Sequence, residues 1–327
     1  MSAKNHDAQS IASEPAALAS AVRRIAESIH ADPRTARLNA VFLPDQAAVN
    51  QILNGLFPLL FPGFHGPRKL DHSTLNQHVD TIVRVAANEL TEQVASALRY
   101  RRELDPADST YEAHGRECEH QARVIVSQFM QSIPALRDLL SLDVQAALDG
   151  DPAARHTDEV ILCYPGLRAL AVYRLAHILY ELDVPLIPRM MSESAHSMTG
   201  IDIHPGARIG RACFIDHGTG VVIGETSIIG DHCRIYQGVT LGAKSFPRNE
   251  EGDYLRTIKR HPTLEDHVVV YANATILGGD TIVGAGCVIN GGVFVTTSIP
   301  PGHVVRAAKL DVTIRSNPEM PPPNYAI

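Results

Sequence analysis

Two hydrophobic periods divide the chain into two parts. Over roughly the first 200 residues, apolar side chains recur every three or four positions, which is the period of an amphipathic helix. Four segments carry this pattern, at residues 16–30, 72–103, 117–148 and 166–182. Proline-rich joints lie at residues 56–67 and 149–159, and Pro134 predicts a break inside the third helix. This part of the chain predicts a helical domain, which we expect to pack helices from several subunits together.

After residue 200 the apolar period changes to six. An aliphatic side chain returns at Ile203, Ile209 and Ile215, at Ile223, Ile229, Ile235 and Leu241, at Leu264, Val270 and Ile276, and, after a seven-residue step, at Val283, Ile289 and Val295. A hexapeptide repeat has this period: each repeat is a short strand with a corner, and three repeats form one triangular coil of a parallel β-helix. Because three repeats make one coil, Ile203 is expected to lie directly below Ile223.

The change of period predicts an α+β fold class, a helical N-terminal domain followed by a β-helix of hexapeptide repeats. The chain then has four parts: a partly helical N-terminal extension (residues 1–35), a helical domain (36–199), a β-helix domain (200–305) with an excursion at 242–263, and a C-terminal tail (306–327). The end of the tail, SNPEMPPPNYAI, is rich in proline and is expected to be extended or disordered.

Composition and charge exclude several classes of protein. Hydrophobic residues make up 45% of the 327 residues, which is enough for a sizeable core, and a formal net charge of −7 argues against nucleic acid as the main partner. No stretch approaches the ~18 consecutive apolar residues of a membrane span, and the N-terminal residues lack the apolar segment of a secretory signal. Five cysteines without a CxxC pair favour reduced thiols. We therefore expect a cytoplasmic protein without a membrane or nucleic-acid partner.

The six-residue period of aliphatic residues is interrupted at FIDHGTGVVIGE, residues 214–225. The aliphatic residues on either side of this corner are eight positions apart instead of six. The register of the coils then gathers Asp202, Asp216 and His217 at one corner, on adjacent coils about 4.8 Å apart. A carboxylate near a neutral imidazole fixes its tautomer and stabilises its cation, as a general base requires. The interruption therefore predicts a general base at His217.

A second interruption is longer. At residues 242–263 the beat gives way to GAKSFPRNEEGDYLRTIKRHPT, which leaves from a different corner than the one that holds His217. Its last polar residues, Lys259, Arg260 and His261, lie about one face of the prism away within one chain, on the order of 15 Å. They could meet His217 across the groove between two prisms, and a trimer would provide three such grooves.

At these residues the sequence closely resembles the serine O-acetyltransferases, a bacterial and plant family of hexapeptide-repeat enzymes. The resemblance covers about residues 143–301 and rests on IDIHPGARIGRACFIDHGTGVVIGE, YQGVTLGA, KRHPTLED and, upstream, DPAARHTDE. Hexapeptide repeats alone indicate only an acyltransferase-like chain, whereas IDIHP followed by DHGTG and then RHP is much more specific. The resemblance implies a left-handed β-helix, and an active site formed in a homotrimer or a dimer of trimers.

The function that this resemblance implies is transfer of the acetyl group of acetyl-CoA to the hydroxyl of L-serine, which gives O-acetylserine for cysteine biosynthesis. His217 would take the hydroxyl proton as the oxygen attacks the thioester, and Asp202 would orient the imidazole. Both substrates would be bound together, with no acetyl-enzyme and no metal. The motifs themselves agree, since they place no serine or cysteine as a nucleophile.

The resemblance also assigns residues to the substrates. There are six of them, in three pairs: Asp151 and Asp216 for the serine ammonium, Arg260 and His261 for its carboxylate, and Gly242 and Ala243, through their backbone, for the pantetheine arm of CoA. Three features depart from the family pattern. The excursion at 244–259 is longer and more charged, Ala243 stands where a second glycine is common, and residues 306–312 read RAAKLDV. These departures concern CoA binding and the oligomer, not the reaction.

Two further partners follow from the resemblance. Cysteine is expected as a feedback inhibitor, and cysteine synthase as a binding partner, because the chain ends in Tyr325-Ala326-Ile327 and family members commonly end in an isoleucine that enters the active site of that enzyme. A terminal carboxylate can occupy a site built for an amino acid, and the Ile327 side chain adds apolar burial. We therefore expect Ile327 to bind cysteine synthase.

Other interpretations stay open. A hexapeptide acetyltransferase for another hydroxyl or an amine would keep His217 but would not need Arg260 and Asp151. A non-catalytic scaffold would use the prism for assembly alone. A zinc lyase of the γ-carbonic anhydrase type would need three histidine ligands across a subunit interface. Four histidines are available for it: His217, His232, His261 and His267.

Single site residues also have structural alternatives. Asp202 or Asp216 could cap a corner through backbone hydrogen bonds. Asp151 could begin a turn before Pro152, and His261 could be a structural histidine of its loop.

Overall fold

The computed structural model describes residues 7–32, 34–38, 42–67, 70–104, 115–255 and 258–308. By its contacts the chain divides into two compact units, Met1–Leu43 and Pro44–Ile327. The first unit contains helix α1 (Asp7–Ala31), which includes the helix predicted at 16–30. Four aliphatic side chains at helical spacing along α1 are exposed: Leu18, Val22, Ile25 and Ile29.

Six further helices lie in the described part of the second unit: α2 (Gln46–Leu60), α3 (Leu75–Glu103), α4 (Gly115–Gly150), α5 (Thr157–Cys163), α6 (Pro165–Glu181) and α7 (Ile187–Thr199). Capping chemistry explains several of their ends. Asp45 accepts the Ala48 N–H at the start of α2, and Pro165 is the first residue of α6. Gly200, with a φ of 70°, ends α7 in the left-handed conformation.

Two expectations about proline are wrong. Helix α4 runs without interruption through Pro134, and α2 continues to Leu60 with Pro58 inside it, although the proline-rich pattern predicts a joint from residue 56. A proline removes one backbone hydrogen bond from a helix. Here packing from outside outweighs that cost, since residues next to both prolines are buried in the helical core, among them Ile133 and Phe57.

A buried ion pair ties the helical domain to the β-helix. The Arg174 guanidinium of α6 lies with its Nε 2.8 Å from Oδ2 of Asp143 in α4, and both side chains are almost fully buried. Arg174 also donates to the carbonyls of Ile209 and Gly210, while Asp143 accepts the Cys213 N–H at 3.0 Å. The pair thus connects two helices with the first coil that follows them.

Parallel strands then stack into a solenoid with three faces. The first face holds β1 (Asp202–Ile203), β4 (Val222–Ile223), β7 (Thr240–Gly242), β10 (Thr275–Leu277) and β13 (Phe294–Val295). The second face holds β2 (Arg208–Ile209), β5 (Ile228–Ile229), β8 (Thr263–Leu264) and β11 (Ile282–Val283). The third face holds β3 (Phe214–Asp216), β6 (Arg234–Tyr236), β9 (Val269–Val270), β12 (Val288–Ile289) and β14 (Val304–Val305).

The register of the coils follows the six-residue beat. Ile203 pairs with Ile223, and Ile223 pairs with Leu241, as the count of three repeats per coil predicts. Apart from Ile209, which is half-buried, the predicted beat residues are buried and fill the interior of the prism. The predicted fold class, a helical domain followed by a β-helix of hexapeptide repeats, is therefore confirmed.

All five cysteines are free, and Cys213, Cys233 and Cys287 are buried fillers of the coils. Burial raises the pKa of the Cys213 thiol well above its usual value, and that of Cys233 to about 11. The thiols of Cys213 and Cys233 are therefore protonated and unreactive at neutral pH. None of the helices in the described ranges is long and apolar enough to cross a membrane.

Candidate active site

The corner that holds His217 lies directly above the segment that leads into β1. The chain leaves β3 after Asp216, and His217 takes a φ of 55°. The Gly220 N–H donates to the Gly200 carbonyl at 2.8 Å, and the Asp202 N–H donates to the Val221 carbonyl at 2.9 Å. The widened corner is thus held on the coil below, at the end where Asp202 begins its strand, as predicted.

The imidazole of His217 projects from this corner into solvent. Its side chain is 69% exposed, whereas that of Asp216 is only 12% exposed. The two are close, with Nδ1 of His217 at 3.8 Å from Oδ1 of Asp216. An accessible imidazole beside a carboxylate can accept a proton and keep the resulting cation stable.

Asp151, from the segment after α4, reaches the same corner. Its Oδ1 accepts the Ala153 N–H at 2.8 Å and its Oδ2 accepts the Tyr164 O–H at 2.5 Å. These two hydrogen bonds, the one from Tyr164 foremost, lower the pKa of Asp151, and the nearby charge of His217 lowers it further. Tyr164 also feels the charge of Asp216. The structure therefore brings Asp151, Tyr164, Asp216 and His217 together.

Asp202 is half-buried and faces the end of α7. Asp202, Glu193 and His196 each offer one ligand atom within 4.8 Å of the others, and Nδ1 of His196 lies 3.3 Å from Oε2 of Glu193. This arrangement gives Asp202 neighbours that the sequence motifs did not indicate. Its predicted role as the partner that orients His217 stays a prediction.

The end of the excursion lies at a different corner, between the first and second faces. Thr226 organises it: its Oγ1 accepts the Arg260 N–H at 2.9 Å and the His261 N–H at 3.0 Å. In return, Nδ1 of His261 accepts the Thr226 N–H at 3.1 Å. A Cβ atom on Gly224 would lie 2.1 Å from the His261 ring, so the glycine of this repeat is needed for the histidine to pack there.

His261 is a buried, neutral donor. Burial lowers its pKa to about 4, and the positive charge of Arg260 adds to the effect. Because Nδ1 accepts from Thr226, the single ring proton of the neutral form belongs on Nε2. His261 can therefore donate one hydrogen bond from Nε2 without carrying charge.

Arg260 is held by Glu225, a residue that the motifs contain but to which sequence reasoning gave no role. The guanidinium forms an ion pair with Oε2 of Glu225, whose Oε1 accepts the Tyr180 O–H at 3.1 Å. Burial acts to raise the pKa of Glu225, but the hydrogen bond from Arg260 and the charge of His204 lower it overall. Glu225 is therefore ionised and fixes the direction of the Arg260 fork.

The two residues expected to contact CoA lie beside this corner. Gly242 ends β7 and Ala243 begins the excursion, and both are half-buried. The Gly242 carbonyl accepts the Gly278 N–H at 3.1 Å. That carbonyl is thus already engaged within the solenoid.

The excursion folds back on itself beside Arg260. Arg248 and Tyr254 form an antiparallel bridge, and the Arg248 guanidinium lies 4.1 Å from the centre of the Tyr254 ring. A pocket opens between this hairpin and the solenoid, lined by Glu225, Phe246, Pro247, Tyr254, Leu255 and Arg260. The sequence predicts an excursion here but not its aromatic face.

A hexapeptide β-helix with an exposed histidine at one corner and an Arg-His pair at another defines an acyltransferase of the hexapeptide-repeat class. Over 271 residues the chain is 46% identical to a plasmid-encoded serine acetyltransferase of Synechococcus elongatus. The aligned region covers 82% of this chain and 83% of that protein. The chain belongs to the serine acetyltransferase family. No protein-family model matches it.

Solved structures support the same family. Serine acetyltransferase isoform 3 of Entamoeba histolytica, in complex with cysteine, has a TM-score of 0.67 and 33% identity over 81% of this chain and 84% of its own. Serine acetyltransferase 1 of the same organism, in complex with L-cysteine, has a TM-score of 0.65 and 37% identity over 78% and 86%. The predicted family and enzyme class are thus confirmed, and a scaffold or a zinc lyase is not supported.

Proposed function

We propose that this chain transfers the acetyl group of acetyl-CoA to the hydroxyl of L-serine, with His217 as the general base. The observation that carries the proposal is the exposed His217 imidazole, which shares one corner with the carboxylates of Asp151 and Asp216. An acceptor with an ammonium group would bind these carboxylates and bring its hydroxyl to the imidazole. Asp202, which begins the strand below, is the proposed orienting partner.

The reaction is a direct transfer. An imidazole nitrogen of His217 takes the proton of the serine hydroxyl as that oxygen forms a bond to the thioester carbonyl carbon. The C–S bond then breaks, and the imidazolium returns the proton to the CoA sulfur. Cys213 and Cys233 are buried and protonated, so neither of these two thiols can carry the acetyl group.

The carboxylate of serine has a suitable site at the corner of Arg260 and His261. Arg260 is held by Glu225, and His261 offers a neutral Nε2–H donor. Within one chain the first face of the solenoid separates this corner from that of His217. We therefore place the complete site between two copies of the chain, in a homotrimer or in a dimer of trimers.

Acetyl-CoA is the proposed donor and the backbone of Gly242 and Ala243 its proposed contact. The test is release of the CoA thiol with L-serine as acceptor, compared with L-threonine, ethanolamine and a sugar hydroxyl. Fast release with L-serine and slow release with the others supports the proposal. Equal or faster release with a sugar or another amine would instead favour the alternative, a hexapeptide acetyltransferase for another acceptor.

Two partners complete the proposal. Cysteine carries the same ammonium and carboxylate groups as serine, and the two Entamoeba histolytica enzymes bind cysteine, which supports it as an inhibitor of the serine site. Cysteine synthase is the proposed protein partner. Ile327 lies outside the described residues. The test is whether a chain without Ile327 loses binding to the synthase.

The free thiols are in keeping with a cytoplasmic location.

A further inference from the structure

The side chain of Asp151 is held from two directions. It belongs to the residue directly after α4, whose backbone N–H donates to the Ala147 carbonyl at 3.0 Å, a contact that holds the backbone but does not orient the carboxylate. The Ala153 N–H donates to Oδ1, but this is a local turn that moves with the segment itself. The Tyr164 O–H donates to Oδ2 from 13 residues further along the chain. Tyr164 is therefore the contact that ties this carboxylate to the helices.

Tyr164 is itself anchored at both ends of its backbone. Its N–H donates to the Val160 carbonyl of α5 at 3.2 Å, and its carbonyl accepts the Arg168 N–H of α6 at 3.4 Å. Pro165 restricts the backbone that follows. The ring is half-buried where the two helices meet. Because two helices fix the residue, its hydroxyl has a defined position from which to donate.

The hydrogen bond between Tyr164 and Asp151 favours a protonated phenol and a charged carboxylate. The hydrogen bond to Asp151, together with burial, raises the pKa of the Tyr164 hydroxyl far above its usual value of 10. The same hydrogen bond is the largest cause of the lowered pKa of Asp151. At neutral pH the phenol therefore remains a donor and the carboxylate remains charged. A fixed negative group beside Asp216 and His217 suits a cationic amine.

We propose that Tyr164 is a positioning residue of the acceptor site, which holds the Asp151 carboxylate in the orientation that binds the acceptor's ammonium beside His217. The role of Tyr164 rests on the proposed function and deepens it. If Asp151 is held in this orientation, the ammonium group of the acceptor becomes a determinant of specificity. A hydroxyl compound without an amine gains nothing from a fixed carboxylate. The class of acceptor is therefore an amino alcohol whose amine is cationic.

The test is the kinetics of Tyr164→Phe with L-serine and with 3-hydroxypropionate, which has the same hydroxyl and carboxylate but no amine. Loss of one hydrogen bond to a charged group should raise KM for L-serine about tenfold. The values of kcat and of KM for acetyl-CoA should change less than about twofold, since the reacting atoms are not touched. The low rate with 3-hydroxypropionate should not change. Tyr100→Phe is the matched control, since Tyr100 lies in α3 of the helical domain and belongs to neither corner of the proposed site.

A double-mutant cycle separates positioning from a general structural role. In an Asp151→Asn background, Tyr164→Phe should have no further effect on KM for L-serine, because its effect passes through that carboxylate. Independent, additive effects, or an equal rise of KM for both acceptors and for acetyl-CoA, would overturn the inference. Inactivity of the wild-type chain and of Tyr100→Phe with L-serine would instead contradict the proposed function.

Discussion

A single backbone angle makes His217 accessible. Its φ of 55° lies in the left-handed region, which turns the chain out of β3 and points the imidazole away from the prism. His232 and His267 take the same conformation at another corner, with φ of 57° and 60°, and their rings stack 4.9 Å apart. The backbone alone therefore does not make a site. Asp231 and Asp266 precede those two histidines, but their carboxylates accept backbone N–H groups of the solenoid. At the corner of His217, Asp216 is joined by Asp151, a carboxylate from outside the solenoid.

We expect His217→Asn to lower kcat by about 10²–10⁴-fold, the usual range for loss of a general base. Asparagine tolerates the left-handed conformation, so the corner should keep its shape. The measurement is CoA release at saturating L-serine and acetyl-CoA. His232→Asn is the matched control and should leave kcat unchanged. Near-normal turnover by a folded His217→Asn protein would remove His217 from the mechanism.

His261 should make stability depend on pH. Its pKa is about 4 in the folded protein and 6.5 when unperturbed, so between these values the unfolded chain binds a proton that the folded chain does not. Stability should therefore fall as the pH falls from 7 to 4, by up to about 3 kcal/mol from this residue. Urea unfolding across this range should show a shallower loss for His261→Gln than for the wild type. Parallel curves for the two proteins would contradict the buried, neutral state.

At the scale of elements, a buried charge pair adds to the apolar contacts that place α6. Arg174 and Asp143 are both almost fully buried, so each needs the other to remain ionised. Their remaining hydrogen bonds go to backbone groups of the solenoid. The contact therefore fixes where the helical domain ends and the first coil begins. It also places the segment with Asp151, which directly follows α4, close to the corner of His217.

Asp143→Asn should lower the free energy of unfolding by about 3–5 kcal/mol, because it leaves the Arg174 charge buried without its partner. Asp80→Asn is the control, since it removes one member of the exposed Asp80–Arg84 pair of α3 and should have little effect. Urea unfolding of both variants checks the difference. Equal stability of the two variants would show that the buried pair contributes no more than an exposed one.

Elements differed in how far the sequence could predict them. The solenoid was predictable in detail, since one aliphatic residue per repeat sets both the strand and its register, as Ile203 below Ile223 shows. The ends of the helices were not predictable from proline positions. Pro58 and Pro134 each favour a break in the helix, but contacts with residues distant in sequence keep both helices continuous. Helix α7 was missed although Ile187, Met191 and Ala195 follow helical spacing in IPRMMSESAHSMT, because this apolar stripe is short and the rest of the segment is polar.

The candidate site was predictable only where a motif interrupts a repeat. His217 and Arg260 stand at such interruptions. The residues that orient these side chains do not stand at such interruptions. Tyr164 contacts Asp151, which is 13 positions away in the sequence, and Glu225 contacts Arg260, which is 35 positions away. Contacts at such separations depend on how α5, α6 and the coils come together, and no local pattern encodes them.

At the scale of the whole molecule, the two halves of the proposed site face different grooves. His217 and Asp151 lie at one corner, while Arg260 and His261 lie across the first face of the solenoid. Within one chain, the strands of the first face lie between these two groups of residues. We therefore propose that the complete site includes a neighbouring copy, so that activity should depend on assembly.

Hybrid oligomers test this requirement. Inactive His217→Ala chains mixed with inactive Arg260→Ala chains should regain part of the wild-type activity, because some interfaces combine the intact corner of each. His217→Ala mixed with Asp151→Ala is the matched control and should regain none, since both residues belong to the same corner. Recovery is measured as CoA release after subunit exchange. No recovery in the first mixture, with exchange proven by mass spectrometry, would argue against a shared site.

The excursion at residues 243–262 has a consequence for how such a fold can vary. Leu264 still pairs with Ile229, and Ile276 with Leu241, so the coils keep their register on both sides of the insertion. Register is set by neighbouring coils and not by the length of a corner, and the entropy of closing a loop grows only slowly with its length. The segments at the corners can therefore differ in length and sequence between family members, while the paired strands of the solenoid keep the same register.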